Sequence, residues 1–314
     1  MDKFARFRED IPFLREVVYL DSAAVCPPSR RVIDAMREYY EKHPFNYGVG
    51  KAKIARDNEA MVNRARSSAA EFIGAHSPDE VVFTKNTTEA LNAVANGLKW
   101  RADDQVIVSR ADHQSNLIPW MRLRERVGIT LTLLDVDDQG FVDPDDVGKA
   151  LTKNAKLVTV THGSNVTGAI QDVAAIGRVV KERSGALFMI DCAQTGGKVP
   201  IDVKRIGCDF AAFCGRKSLM GPQGTGFLYG KREVLRLLEP TIIGSRAAKT
   251  IDETKFEYLG IPFVHESGVL NTSGVIGLGA AVEQLSEIGV ADIFERIQEL
   301  SAELIEIVRE AGLK

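Results

Sequence analysis

Leu187-Phe188-Met189-Ile190-Asp191-Cys192-Ala193-Gln194 ends a short apolar run on an acid. The next apolar run, Phe210-Ala211-Ala212-Phe213-Cys214-Gly215-Arg216-Lys217, ends on a polar segment with a lysine. Short runs that are apolar almost throughout and bounded by polar residues predict strands covered on both faces. Working outward, similar runs fall at 81–84, 105–109, 130–134, 157–162 and 226–229, beside these two at 187–191 and 210–214. Helical periodicity fills the gaps at 29–42, 53–74, 89–98, 118–127, 144–151, 172–183 and 231–238. The alternation predicts an α/β fold, a mostly parallel seven-stranded sheet sandwiched by helices.

After Gly268 the texture changes to two helices, predicted at 275–288 and 293–311. The second is amphipathic, with Ile293, Ile297, Leu300, Leu304 and Ile307 at helical spacing. A strand would be natural after Gly312, so the expectation is of a C-terminal unit cut short. The first twenty residues precede the pattern and are expected to pack against a different layer.

Lys and Arg number 40 against 43 Asp and Glu, a net charge of −3 with no block of like charge, which argues against a nucleic-acid partner. No apolar run approaches the ~20 residues of a membrane span, and Met1–Arg6 begins no secretory signal, so no membrane role is expected. Cys26, Cys192, Cys208 and Cys214 are scattered without metal-ligand spacing and suggest no disulfide framework, which makes a reduced cytoplasmic setting the default.

The acid and the lysine on consecutive strands point to one cofactor. A pyridoxal phosphate (PLP) enzyme needs a lysine amine to hold the cofactor as a Schiff base and a carboxylate to keep its pyridine nitrogen protonated. Lys217 and Asp191 are those candidates, and Gln194 can donate to the ring's phenolic oxygen. Asn86-Thr87-Thr88-Glu89 follows a strand and opens a helix, so it reads as an ordinary N-cap or as a phosphate cradle. Asp112-His113-Gln114-Ser115-Asn116 also follows a strand; His113 can stack on a ring or move a proton, or be a loop histidine without a role. Ser164-Asn165-Val166-Thr167-Gly168 reads as a turn or as a site for an amide that contacts ring or substrate. Gly221-Pro222-Gln223-Gly224-Thr225-Gly226 lacks dinucleotide-binding spacing and precedes a strand, so it reads as a tight turn. Collectively, five polar clusters fall at strand C-termini, where open α/β sheets place their ligands.

At these residues the sequence resembles the class V aminotransferase family, of the fold type I PLP enzymes, and within it the cysteine desulfurase and selenocysteine lyase group. The resemblance runs from Tyr19-Leu20-Asp21-Ser22-Ala23-Ala24 to the last helix. It implies a phosphate element at Thr87 and Thr88, a ring-stacking His113, and ring or substrate contact by Asn165. It also implies the Asp191–Gln194 pair and Lys217 as the Schiff-base lysine. The family's phosphate-binding Ser and His stand here as Cys214 and Arg216, and Arg216 keeps a permanent charge and a forked donor set. The second histidine of the family's pair is Gln114, and the threonine that reaches a neighbouring subunit's phosphate is Val269, with Thr272 and Ser273 nearby.

The resemblance further implies a homodimer and a cysteine desulfurase-like reaction on an L-amino acid, through an internal aldimine on Lys217. Another class V reaction (aminotransferase, epimerase or β-eliminating lyase) or a truncated non-catalytic PLP-binding homologue is the alternative. Relatives continue for roughly a further quarter, with a substrate-carboxylate arginine and a nucleophilic cysteine loop that this sequence lacks. Cys26 is the one cysteine near a plausible substrate channel, although a free cysteine is usually inert. The expected organisation is an N-terminal segment at 1–20 packing with the small domain, a large PLP-binding domain at 21–265, and connecting helices opening an incomplete small domain at 266–314.

Overall fold

The computed structural model describes residues 2–45, 47 and 52–312. Its main sheet comprises β1 (Val81–Thr84), β2 (Gln105–Ser109), β3 (Thr130–Leu134), β4 (Ala155–Thr161), β5 (Leu187–Asp191), β6 (Phe210–Cys214) and β7 (Gly226–Gly230). The order across it is β1-β7-β6-β5-β4-β2-β3. Strands β6, β5, β4, β2 and β3 run parallel, while β7 is antiparallel to both its neighbours. The predicted strands are all present. Strand β4 starts two residues early, beside a register shift at Gln105/Val106, and His162 leaves the strand while its amide still donates to the Asp191 carbonyl.

The helices are α1 (Lys3–Glu9), α2 (Arg30–Lys42), α3 (Lys53–Phe72), α4 (Thr87–Gly97), α5 (Ile118–Val127), α6 (Pro144–Ala150) and α7 (Val173–Arg183). They continue as α8 (Val203–Ile206), α9 (Arg232–Leu235), α10 (Thr272–Ile288) and α11 (Val290–Glu310). Alternate residues of each strand face opposite layers. Val106, Leu157 and Met189 pack with Leu91 of α4 and Trp120 of α5. Ile107, Val158, Phe188 and Ile190 pack with Val62 of α3, Val147 of α6, Ile176 of α7 and Val282 of α10. Burial on both sides explains why the strand sequences are apolar nearly throughout. Helix α10 crosses α3 closely: a Cβ on Gly279 would lie 2.6 Å from the Ala65 Cβ, so only glycine permits the approach.

Three features depart from the sequence expectation. The helix predicted at 231–238 is regular only over α9, because the Glu239 amide donates to the Gly97 carbonyl (2.8 Å) and draws the chain away. Helix α1 buries no residue; Lys3 at its start pairs with Asp292 of α11. Strands β8 (Ala248–Asp252) and β9 (Lys255–Tyr258) form a separate hairpin, exposed except at Ala248. The hairpin has no buried face that could print a periodicity on the sequence, and α1 only half-buries Phe4 and Phe7, with Phe7 against the core. Among the described residues no single helix is long and apolar enough to cross a membrane.

Candidate active site

Beyond the C-terminal ends of β1, β2, β4, β5 and β6 the five polar clusters meet in one cleft of about 140 Å³. Thr87, Thr88, His113, Asn165, Asp191, Gln194, Cys214, Arg216 and Lys217 all line it, so every candidate residue is brought together. A larger groove of about 570 Å³ lies on the other side of β1, among Glu239–Ile242 and His265–Asn271, and contains none of them. Volume and chemistry part company here; the smaller cleft holds the buried Asp191 together with Lys217 and the other candidate residues.

Asp191 ends β5 and is 3 % exposed. One carboxylate oxygen accepts from the Ala193 amide at 2.9 Å. Burial pushes its pKa up to about 6, against the lowering effects of that amide and of the nearby Lys217. Lys217 lies three residues past β6 on a turn that needs Gly215, because a Cβ there would collide with the Thr225 hydroxyl and carbonyl. The adjacent parallel pair β5–β6 therefore sets acid and amine on one wall.

Asn86 caps α4 by accepting from the Glu89 amide at 2.9 Å, which leaves the first-turn amides pointing outward. Thr88 donates its hydroxyl to Ser115 Oγ at 2.9 Å. The Thr87 hydroxyl is buried and has no partner. An unpaired buried hydroxyl is costly, and beside a helix N-terminus and the Arg216 guanidinium it fits a phosphate group. His113 is exposed, and its Nδ1 accepts from the Ser115 amide at 3.1 Å. Partial burial and the Lys217 charge hold its pKa below the ordinary histidine value.

Segment 21–26 is tied to two of the lining residues. Gln194 Nε2 donates to the Ala23 carbonyl (2.9 Å), Arg216 Nη1 to the Ala24 carbonyl (2.7 Å), and the Cys26 amide to the Arg216 carbonyl (2.9 Å). The Cys26 thiol is buried, faces the Ser22 carbonyl at 3.4 Å and is absent from the cleft lining; burial raises its pKa. Thr272 and Ser273 open α10 as buried residues outside the cleft, and Ser273 Oγ donates to Tyr40 Oη at 2.8 Å. Val269 is 67 % exposed.

Sequence reading missed Asn86, Ser115, Thr161, Gly163 and Ala193 as lining residues. It also missed His162, which is buried behind the Asp191 loop with Nδ1 2.9 Å from Thr195 Oγ1, and which burial holds down to about 4. Ser115 lies inside a quoted cluster, so its place was readable; nothing in the sequence distinguishes His162 from a core histidine.

A seven-stranded, mostly parallel sheet with acid, lysine and helix N-terminus at its strand ends is the architecture of fold type I PLP enzymes. The chain belongs to the aminotransferase class-V family, whose sequence pattern matches residues 18–313, and it is cysteine desulfurase-like. It is 42% identical over 297 residues to a probable cysteine desulfurase of Methanothermobacter thermautotrophicus, covering 95% of this chain and 74% of that protein. A probable cysteine desulfurase of Pyrococcus abyssi is 38% identical, with 93% and 73% covered. The apo structure of the cysteine desulfurase from Thermococcus onnurineus NA1 superposes with a TM-score of 0.95 at 36% identity, covering 99% of this chain and 77% of that one.

Proposed function

We propose that the chain is a PLP-dependent enzyme that acts on an L-amino acid, with L-cysteine as substrate in a desulfurase-like reaction. The observation that carries this reading is the buried Asp191 carboxyl beside Lys217, with a partnerless Thr87 hydroxyl in the same cleft. Asp191 would hold the pyridine nitrogen, and a charged partner there would satisfy an acid that burial now disfavours. Thr87, Thr88, Cys214 and Arg216 would grip the phosphate, while Asn165 and Gln194 reach the ring oxygen. His113 would cover the ring face. PLP supplies an electron sink for bonds at the substrate α-carbon. Lys217 would hold the cofactor through its amine and, once displaced, take and return the proton at that carbon.

A second reading, a class V reaction without a sulfur-carrying thiol, rests on the cysteines. All four are buried, and burial raises the thiol pKa of Cys26, Cys192 and Cys208. A homodimer in the cytoplasm belongs to the same proposal. Its support is the family resemblance together with exposed Ile242 and Val269 lining the larger groove.

The test is to add PLP to the purified chain and record visible absorbance, then repeat with Lys217→Ala. A signal in the wild type that the variant loses is expected; identical, colourless samples overturn the reading. Sulfide and alanine from L-cysteine favour the desulfurase, and pyruvate favours β-elimination.

A further inference from the structure

A polar network beneath His113 takes no part in the chemistry above. Asn116 is fully buried and uses both ends of its amide. Its Nδ2 donates to Asp112 Oδ1 at 2.8 Å. Its Oδ1 accepts from Thr159 Oγ1 of β4 at 3.0 Å and from Trp120 Nε1 of α5 at 3.3 Å. The other Asp112 oxygen accepts from the Ser109 amide at the end of β2, at 2.9 Å. The Asn116 amide donates to the carbonyl of His113 itself, at 2.7 Å.

We propose that Asp112 and Asn116 are positioning residues that fix the His113 ring over the cleft. The residue before His113 and the one three after it are cross-linked by their side chains. The cross-link is anchored to two neighbouring strands and a core helix. A plain Asx turn would account for the local bonds, yet it needs neither Thr159 nor Trp120, which lie in other elements. Because both ends of the Asn116 amide are bonded inside the core, any shift of the loop would leave several buried groups unpaired at once, so the loop has one low-energy position. That position in turn lets the Ser115 amide reach His113 Nδ1 and its hydroxyl meet Thr88. Although the residue as a whole is only half-buried, the Asp112 carboxyl is turned inside. Burial pushes it up to about 7 and the charge of Asp191 adds to this, while Asn116 and Ser109 favour the ionised form. The Asn116 donor is thus part of what holds the acid in place. This inference stands whether or not PLP is the ligand.

The test follows the His113 imidazole by NMR titration of the cofactor-free chain, with the signal assigned through His113→Gln; the chain has 5 histidines. In the wild type His113 titrates below the ordinary histidine value. In Asn116→Ala and in Asp112→Ala its midpoint is expected to rise toward that value, with the His162 and His265 signals unmoved. The exchanged pair Asp112→Asn/Asn116→Asp keeps a donor facing an acceptor and is expected to restore the low midpoint, a coupling read as a double-mutant cycle. Unchanged His113 midpoints in folded single variants overturn the proposal, as does an exchanged pair no better than the singles. Should the single variants fail to fold, Thr159→Val removes only one donor. A smaller rise in the His113 midpoint supports the proposal there, and no rise overturns it.

Discussion

Two buried carboxylates, Asp191 at the end of the central strand β5 and Glu266 against the edge strand β1, sit under very different conditions. Glu266 is 4 % exposed and Asp191 3 %. Glu266 takes a two-pronged pair from Arg66 (2.6 and 2.8 Å) and a third bond from the Phe83 amide at 2.7 Å. Arg66 also donates to the Val81 carbonyl and lies 4.5 Å from the Phe83 ring centre. Asp191 has one amide and a lysine near enough to feel. The first acid is neutralised by its own chain and ties α3 to β1 and to the segment before α10. The second is left short, and a shortfall of that kind in a cleft is what a ligand can supply.

The comparison can be broken hardest at the paired acid. Glu266→Ala leaves Arg66 charged and unpaired in the interior, and is expected to remove about 3–5 kcal/mol of stability, read by urea unfolding. A loss below about 1 kcal/mol would mean that the pair is not structural.

At the unpaired acid the sign reverses. The folded form raises Asp191 from 3.8 to about 6, so it holds its proton more tightly than the unfolded chain does. This contribution to stability is present in full below about pH 4 and is lost as pH rises through about 6. In the cofactor-free chain Asp191→Asn is therefore expected to be more stable than the wild type at pH 8, by about 1–3 kcal/mol, with the gain vanishing near pH 4. Thermal unfolding at the two pH values checks it, and a variant less stable at pH 8 would contradict it. The same substitution should weaken PLP binding, read as a higher PLP concentration needed to reach the full absorbance.

The smallest effect is expected where nothing is buried. Phe256 on β9 is 57 % exposed and meets the edge of Tyr258, at 5.3 Å between ring centres. Phe256→Ser should change the stability of the single chain by no more than about 0.5 kcal/mol. A larger loss that depends on protein concentration would instead place this hairpin in a contact between copies.

Much of the fold was legible because central strands buried on both faces carry an unmistakable apolar signature, as in Leu187–Asp191 and Phe210–Cys214. The cleft was legible because each candidate sits within a few residues of such a strand's end. The exposed hairpin left no signature. The same apolar content that marks Ile190 as core also marks Leu304, which is 61 % exposed on α11. Periodicity reports that a residue seeks burial, and says nothing of what covers it.

The sequence by itself determined the seven strands of the main sheet, their α/β succession, and the nine polar residues that the strand ends carry. Those follow from local patterning and from the rule that ligands meet the C-terminal edge of a parallel sheet. Only the tertiary structure decided that Glu266 is matched to Arg66 while Asp191 is not, that Thr87 keeps an unpartnered hydroxyl, and that Asn116 reaches Thr159. Such pairings join residues as much as 200 positions apart, and burial sets their electrostatics, so no local reading of the chain contains them.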